Sequence, residues 1–161
     1  MVICEGNPRI MKCSACNLSG GLGFALVLLA AVIGIRAIAG SSVAPMPDIF
    51  DPSVTFEEAT ERAASSDKPV LVFATADWCG PCQTFKRGAL KDAAVIDFIT
   101  TETEPVYVDI DEQPELASSL GVRGIPAVMI VRNGEVQAHI SGAVSAPALL
   151  TWLDRAVSNA S

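Results

Sequence analysis

Trp78-Cys79-Gly80-Pro81-Cys82 carries two cysteines separated by two residues, a spacing that lets them form and exchange one disulfide bond. The residues before it, 69–75 (PVLVFAT), are apolar, β-branched or small, which predicts a buried strand. The residues after it, from Gln83 to about Lys91, lack Gly and Pro except for Gly88 and predict a helix. The cysteine pair is therefore expected where a strand ends and a helix begins.

This position favours thiol chemistry at Cys79. At or just before the first helical turn, unpaired backbone N–H groups and the helix dipole stabilise a thiolate. Cys79 is then the attacking thiol, and Cys82, one turn further along, can resolve a mixed disulfide. Pro81 suits the first turn of a helix, where its missing N–H costs nothing.

A pair of this kind also occurs as half of a zinc site, which needs four ligands. The remaining candidates are His139 and three N-terminal cysteines, and none is placed to complete a site with Cys79 and Cys82. A structural disulfide without activity is the stronger alternative, because a fold can be reused for binding alone. We expect no metal and no organic cofactor.

A second motif follows downstream. It consists of Gly121-Val122-Arg123-Gly124-Ile125-Pro126, an apolar run over residues 127–131, the turn Asn133-Gly134 and Gly142. In content and order, the two motifs resemble the thioredoxin family over residues 54–158. The resemblance implies the thioredoxin fold, an α/β fold with a central mixed β-sheet flanked by helices. It further implies that Pro126 is cis and faces the disulfide, and that the backbone of its neighbour Ile125 pairs with the substrate. Substrate contacts are expected at Trp78, Gly80, Pro81, Ile125 and Pro126.

The sequence departs from cytosolic thioredoxins at two positions outside the motif. Those proteins carry a buried aspartate six residues before the first cysteine and a lysine facing it, whereas this chain has Phe73 and Tyr107. Because a carboxylate can act as a base only where it is present, Cys82 must lose its proton in another way in this protein. The residues around the motif are more similar to exported and membrane-tethered relatives, such as the C-terminal domain of transmembrane thiol:disulfide interchange proteins.

Residues 18–35 contain no charged side chain, and Arg9 and Lys12 precede them. This pattern fits either a short membrane anchor or a signal peptide cleaved after Ala39. Either one places the rest of the chain on the extracytoplasmic (periplasmic) side. The expected organisation is a signal peptide or anchor (1–39), a proline-bearing linker (40–53) and a thioredoxin-like domain (54–161).

The remaining elements follow from periodicity and turn signals. Thr55 and Glu58 form a capping-box pattern before a helix, and Asn133-Gly134 predicts a hairpin turn. The predicted helices cover residues 56–65, 92–101, 114–120 and 146–157, and the predicted strands cover 105–110, 127–132 and 135–141.

The net charge of −7 argues against nucleic-acid binding, which needs a basic face. The predicted function is a thiol:disulfide oxidoreductase that reduces disulfides of exported proteins through Cys79 and Cys82. Gly80-Pro81 between the cysteines resembles the reducing members of the family. Outside the cytoplasm such a reductase needs a membrane electron donor. The alternatives are a disulfide oxidase or isomerase, and a non-catalytic thioredoxin-like binding module.

Overall fold

The computed structural model describes residues 43–160, so the predicted anchor or signal peptide lies outside the described residues. No helix within 43–160 is long and apolar enough to cross a membrane. The elements in chain order are α1 (Phe56–Ser66), β1 (Val70–Thr75), α2 (Gly80–Arg87), a 3-10 turn (Ala89–Lys91), α3 (Ala93–Glu102), β2 (Glu104–Asp109), α4 (Pro114–Ser119), β3 (Ala127–Arg132), β4 (Glu135–Ser141) and α5 (Ala146–Ala160).

The four strands form one mixed sheet in the order β2-β1-β3-β4. Strand β1 pairs with β2 in parallel and with β3 in antiparallel orientation, and β4 closes the hairpin with β3. All six residues of β1 are buried, as expected for a central strand covered on both faces. The predicted thioredoxin fold, a mixed sheet flanked by helices, is confirmed.

Alternate side chains of β1 enter two separate cores. Leu71 and Phe73 join the core formed with α2, α3 and α5, which also contains Phe85, Val95, Ile99, Leu149 and Leu153. Val72 and Ala74 join the core under α1 and α4, which also contains Ala59, Ala63 and Ala117. Strand β1, which is formed by the apolar run before the motif, thus separates the two cores and packs against both.

The largest shift in an element boundary concerns the helix after the motif. It begins at Gly80, earlier than the predicted Gln83, so that Pro81 lies in its first turn. It ends at Arg87, because the backbone of Gly88 leaves the helical region, and a 3-10 turn follows. The last helix also extends to Ala160, beyond the predicted end at residue 157. The capping box at Thr55 is present as predicted.

Residues 43–53, which we call the N-terminal strap, pack against the domain. Ile49 and Phe50 are buried in the first core. The Phe50 ring lies 5.8 Å from that of Phe73 and 5.7 Å from that of Tyr107. This packing differs from the linker predicted over residues 40–53. The segment has no periodicity because it forms neither helix nor strand, so its burial depends entirely on the cavity that the folded domain offers.

Candidate active site

The two cysteines of the motif form a disulfide, with Cα atoms 5.2 Å apart. Cys79 is the N-cap residue of α2, and its Sγ accepts a hydrogen bond from the backbone N–H of Cys82 at 3.2 Å. The first-turn N–H groups and the positive end of the helix dipole therefore converge on Cys79. After reduction this arrangement favours a thiolate at that sulfur.

The cysteines differ in their access to solvent. Cys79 retains 4% of its surface, whereas Cys82 is completely buried beside Ala76. An incoming disulfide can therefore meet Cys79 first, and Cys82 lies behind it. Cys79 is therefore the more accessible of the two sulfurs.

The loop before β3 lies against the cysteines. Its Ile125–Pro126 peptide bond is cis, as the resemblance implied. Ile125 packs against the buried cluster that contains both cysteines. The carbonyl of Pro126 accepts a hydrogen bond from the N–H of Gly142 at 2.8 Å. The fold thus brings together two motifs that are far apart in the sequence.

The outer rim of the site is formed by Trp78, Gly80 and Pro81, all of which are exposed. Trp78 is 69% exposed, and its Nε1 donates a hydrogen bond to Oδ2 of Asp111 at 2.7 Å. No atom lies within 4 Å of the position that a Cβ on Gly80 would occupy, so this side of the rim is open. Asp111 could not be identified from the sequence, because only the parallel pairing of β1 with β2 brings it near Trp78.

Lys86 and the partly buried Tyr107 form a pair that sequence reasoning did not find. Lys86 on α2 is 1% exposed, and its Nζ donates a hydrogen bond to Oη of Tyr107 at 2.5 Å. The same Nζ lies 4.0 Å from Oδ1 of Asp77. Burial lowers the pKa of Lys86, against the opposing effect of the Asp77 and Asp109 carboxylates. Burial raises the pKa of Tyr107 to about 12, helped by the same two carboxylates and that of Glu112.

Gln83 connects the active-site loop to the N-terminal strap. Its Nε2 donates hydrogen bonds to the carbonyls of Ala76 at 3.3 Å and Asp77 at 3.0 Å. Its Oε1 accepts a hydrogen bond from the backbone N–H of Ala44. This connecting role of Gln83 could not be predicted from the sequence, because a polar residue directly after the motif could equally well be exposed to solvent.

The other candidate ligands of the sequence do not join this site. His139 is exposed on β4. Across residues 43–160 no three His, Cys, Asp or Glu side chains are grouped as a metal ion would require. Cys4, Cys13 and Cys16 lie outside the described residues.

The sequence profile described as "Thioredoxin-like domain" matches residues 56–156. The chain belongs to the thioredoxin family. Two thioredoxins show the degree of relationship. That of Allochromatium vinosum is 39% identical over 101 residues, which are 63% of this chain and 92% of the relative. That of Rhodospirillum rubrum is 36% identical over 112 residues, which are 70% of this chain and 100% of the relative.

Solved structures of the thioredoxin fold align with this family member at lower identity. A thioredoxin from Thermus thermophilus gives a TM-score of 0.57 at 24% identity, covering 62% of this chain and 82% of that one. A disulphide isomerase from Xylella fastidiosa Temecula1 gives 0.58 at 23% identity, covering 69% and 96%. These likenesses establish the fold. Together with its thioredoxin relatives and its cysteine pair at disulfide distance, they make this thioredoxin-family chain a thiol–disulfide oxidoreductase.

Proposed function

We propose that this protein reduces disulfide bonds of exported proteins, with Cys79 as the attacking thiol and Cys82 as the resolving thiol. The observation that carries the proposal is the position of Cys79, which is the N-cap residue of α2 and retains 4% of its surface, whereas Cys82 behind it is completely buried. That position supports both a stabilised thiolate and access for a protein substrate.

The reaction proceeds in two exchanges. The Cys79 thiolate attacks one sulfur of the substrate disulfide, and the other substrate sulfur leaves as a thiolate and takes a proton from water. Cys82 then attacks Cys79, which breaks the bond between Cys79 and the substrate. The substrate leaves with two thiols, and the protein keeps the Cys79–Cys82 disulfide, which is the oxidised form described here.

The rim around Cys79 supplies the docking surface. Trp78 offers an exposed apolar plane on one side, and Ile125 lies against the disulfide on the other. We propose that an extended substrate segment pairs with the backbone at Ile125-Pro126, in the manner of an added strand. The open space at Gly80 and the exposed position of Pro81 let that segment approach Cys79.

We further propose that residues 18–35 direct the domain across a membrane, as a cleaved signal or as an anchor. On the extracytoplasmic side the oxidised pair has to be reduced again. A membrane protein that passes electrons to Cys79–Cys82 would be the donor. The support for this part is the charge and hydropathy pattern of the N-terminal segment.

The direction of electron flow is tested by the reduction potential of Cys79–Cys82. The full chain, with Cys4, Cys13 and Cys16 changed to Ser, is equilibrated against glutathione or dithiothreitol, and the free thiols are counted. A reductase requires a value near that of thioredoxin, about −270 mV. A value between about −180 and −120 mV would instead indicate an isomerase or an oxidase.

The location is tested separately by producing the full chain in a Gram-negative host and fractionating the cells. We expect the folded domain to be degraded by protease added to spheroplasts, with a cytoplasmic protein as the intact control. The mass of the product then distinguishes cleavage after Ala39 from a retained anchor. Protection of the domain until the cells are lysed would contradict export.

A further inference from the structure

Lys86 and Cys82 lie on the same face of α2, because residues four apart are neighbours on a helix. Both are almost completely buried. Side chains on a helix lean toward its N-terminus, so the Lys86 chain points back over the turn that carries Cys82. Its Nζ indeed reaches to within 4.0 Å of Asp77, a residue that precedes the helix. The ammonium therefore lies alongside the cysteine end of α2.

The position of the ammonium is fixed by Tyr107. The phenol oxygen accepts a hydrogen bond from Lys86 Nζ, and Nζ lies 5.0 Å from the centre of the same ring. The Tyr107 ring in turn packs edge-on against Phe50 of the strap and Phe73 of β1, which stack on each other. The Lys86 side chain is thus held in the space between α2 and the sheet.

This buried charge is only weakly compensated. The groups that face it are Tyr107 and Asp109 from β2 and Asp77 from the loop before α2. Within residues 43–160, Asp77 is the one carboxylate within ion-pair distance of Lys86, and its side chain is 68% exposed and therefore screened by water. Phe73 fills the neighbouring position on β1 with an apolar ring. An anion formed at the cysteine end of α2 would therefore be attracted by the ammonium.

We propose that Lys86 is a positioning residue for the second exchange, in which its ammonium stabilises the thiolate of Cys82 as that sulfur attacks the mixed disulfide. The inference rests on the roles proposed above for the two cysteines. Cys82 gives up its proton, its sulfur bonds to Cys79, and the bond between Cys79 and the substrate sulfur breaks. The released substrate thiolate takes up the proton, so no external reductant or base is consumed.

The test is a pH titration of the Cys82 thiol, followed by the ultraviolet absorbance of the thiolate. The background is the full chain with Cys4, Cys13, Cys16 and Cys79 changed to Ser, so that Cys82 is the one remaining thiol. Lys86→Met preserves length and burial but removes the charge. We expect it to move the midpoint upward by about one to three pH units, the usual effect of a nearby opposite charge. At neutral pH this corresponds to a loss of about tenfold or more in thiolate.

Lys91→Met is the matched control, because it removes one exposed positive charge from the end of the same region. We expect it to leave the midpoint essentially unchanged. Tyr107→Phe removes the hydroxyl that holds Lys86 and should give an upward shift smaller than that of Lys86→Met. An unchanged midpoint in folded Lys86→Met protein would overturn the proposal. If Lys86→Met fails to fold, as judged by circular dichroism, Tyr107→Phe decides in the same way.

The titration needs neither a substrate nor turnover. It therefore separates this inference from the proposed function. A wrong assignment of direction or substrate would leave the shift in place, whereas a wrong role for Lys86 would abolish it without affecting exchange at Cys79.

Discussion

Trp78 and Asp111 are joined by a hydrogen bond of 2.7 Å between the indole nitrogen and a carboxylate oxygen. Trp78 is the most exposed large apolar side chain within residues 43–160. Its orientation would be free without this bond, because few atoms pack against an exposed ring. The apolar plane beside Cys79 is therefore preformed, which lowers the entropy lost when a substrate docks.

Asp111→Ala should weaken docking without altering the chemistry. We expect KM for a protein disulfide such as insulin to rise about fivefold, the equivalent of one hydrogen bond, with kcat nearly unchanged. Asp111→Asn keeps an acceptor oxygen and should restore most of the affinity. The neighbouring Glu112→Gln serves as a control for lost charge. A fall in kcat at constant KM would show that the bond acts on the reaction itself.

The cysteines should respond differently to substitution. Cys79→Ser should abolish disulfide reduction, because the more accessible of the two thiols, the attacking nucleophile, is lost. Cys82→Ser should instead accumulate mixed disulfides with substrate, visible as higher-mass species on non-reducing gels that disappear with dithiothreitol. Reduction activity in Cys79→Ser, or trapping by that variant in place of Cys82→Ser, would reverse the proposed roles.

Gln83→Ala should destabilise the oxidised protein. The substitution removes three hydrogen bonds and leaves the buried N–H of Ala44 without its acceptor. Each bond contributes about 0.5–1.5 kcal/mol, so the free energy of unfolding should fall by about 2–3 kcal/mol in denaturant titrations. Thr84→Ala, on the exposed face of the same helix, is the control. Equal stability of the two variants would mean that the strap contributes nothing through Gln83.

Tyr107 should ionise far above the usual range. It is the only tyrosine of the chain, so tyrosinate absorbance reports this residue alone. We expect a midpoint at a pKa of about 12, against an ordinary value of 10.0, because burial disfavours the phenolate. The folded state thus prefers the protonated phenol. This contribution to stability is complete below pH 10 and is lost as the pH rises through about 12.

The titration has an internal check. In denaturant the midpoint of Tyr107 should return to the ordinary pKa of tyrosine, 10.0. A midpoint near that value in the folded protein would mean that the phenol is solvated, and it would remove the anchor assigned to Lys86.

Much of the fold could be predicted because local and long-range signals agree. The run over residues 69–75 has the continuous apolar character of a central strand, and Thr55 with Glu58 marks the start of a helix through contacts within one turn. The motifs that contain Cys79 and Pro126 likewise indicated the two segments of the chain that the fold brings together. Each of these signals is contained in a short stretch of residues.

Other parts of the site depend on contacts that no short stretch contains. Lys86 has the charge of a surface residue, and only the pairing of β2 with β1 brings Tyr107 beneath it. Asp111 resembles any loop acid until β2, which precedes it, is paired with β1 and brings it near Trp78. The first turn at Cys79 and Pro81 was expected, but the helix was assigned from Gln83 rather than Gly80, because Gly and Pro are poor interior helix residues although Pro suits a first turn.

The N-terminal strap also determines how far this protein can be truncated at its N-terminal side. The match to the family profile begins at residue 56, yet Ala44, Ile49 and Phe50 are buried upstream of it. A fragment trimmed to residues 56–156 would leave the faces of Phe73 and Tyr107 that contact Phe50 open to water and would expose apolar surface. A stable fragment of this domain therefore has to be longer than the segment that the family profile matches.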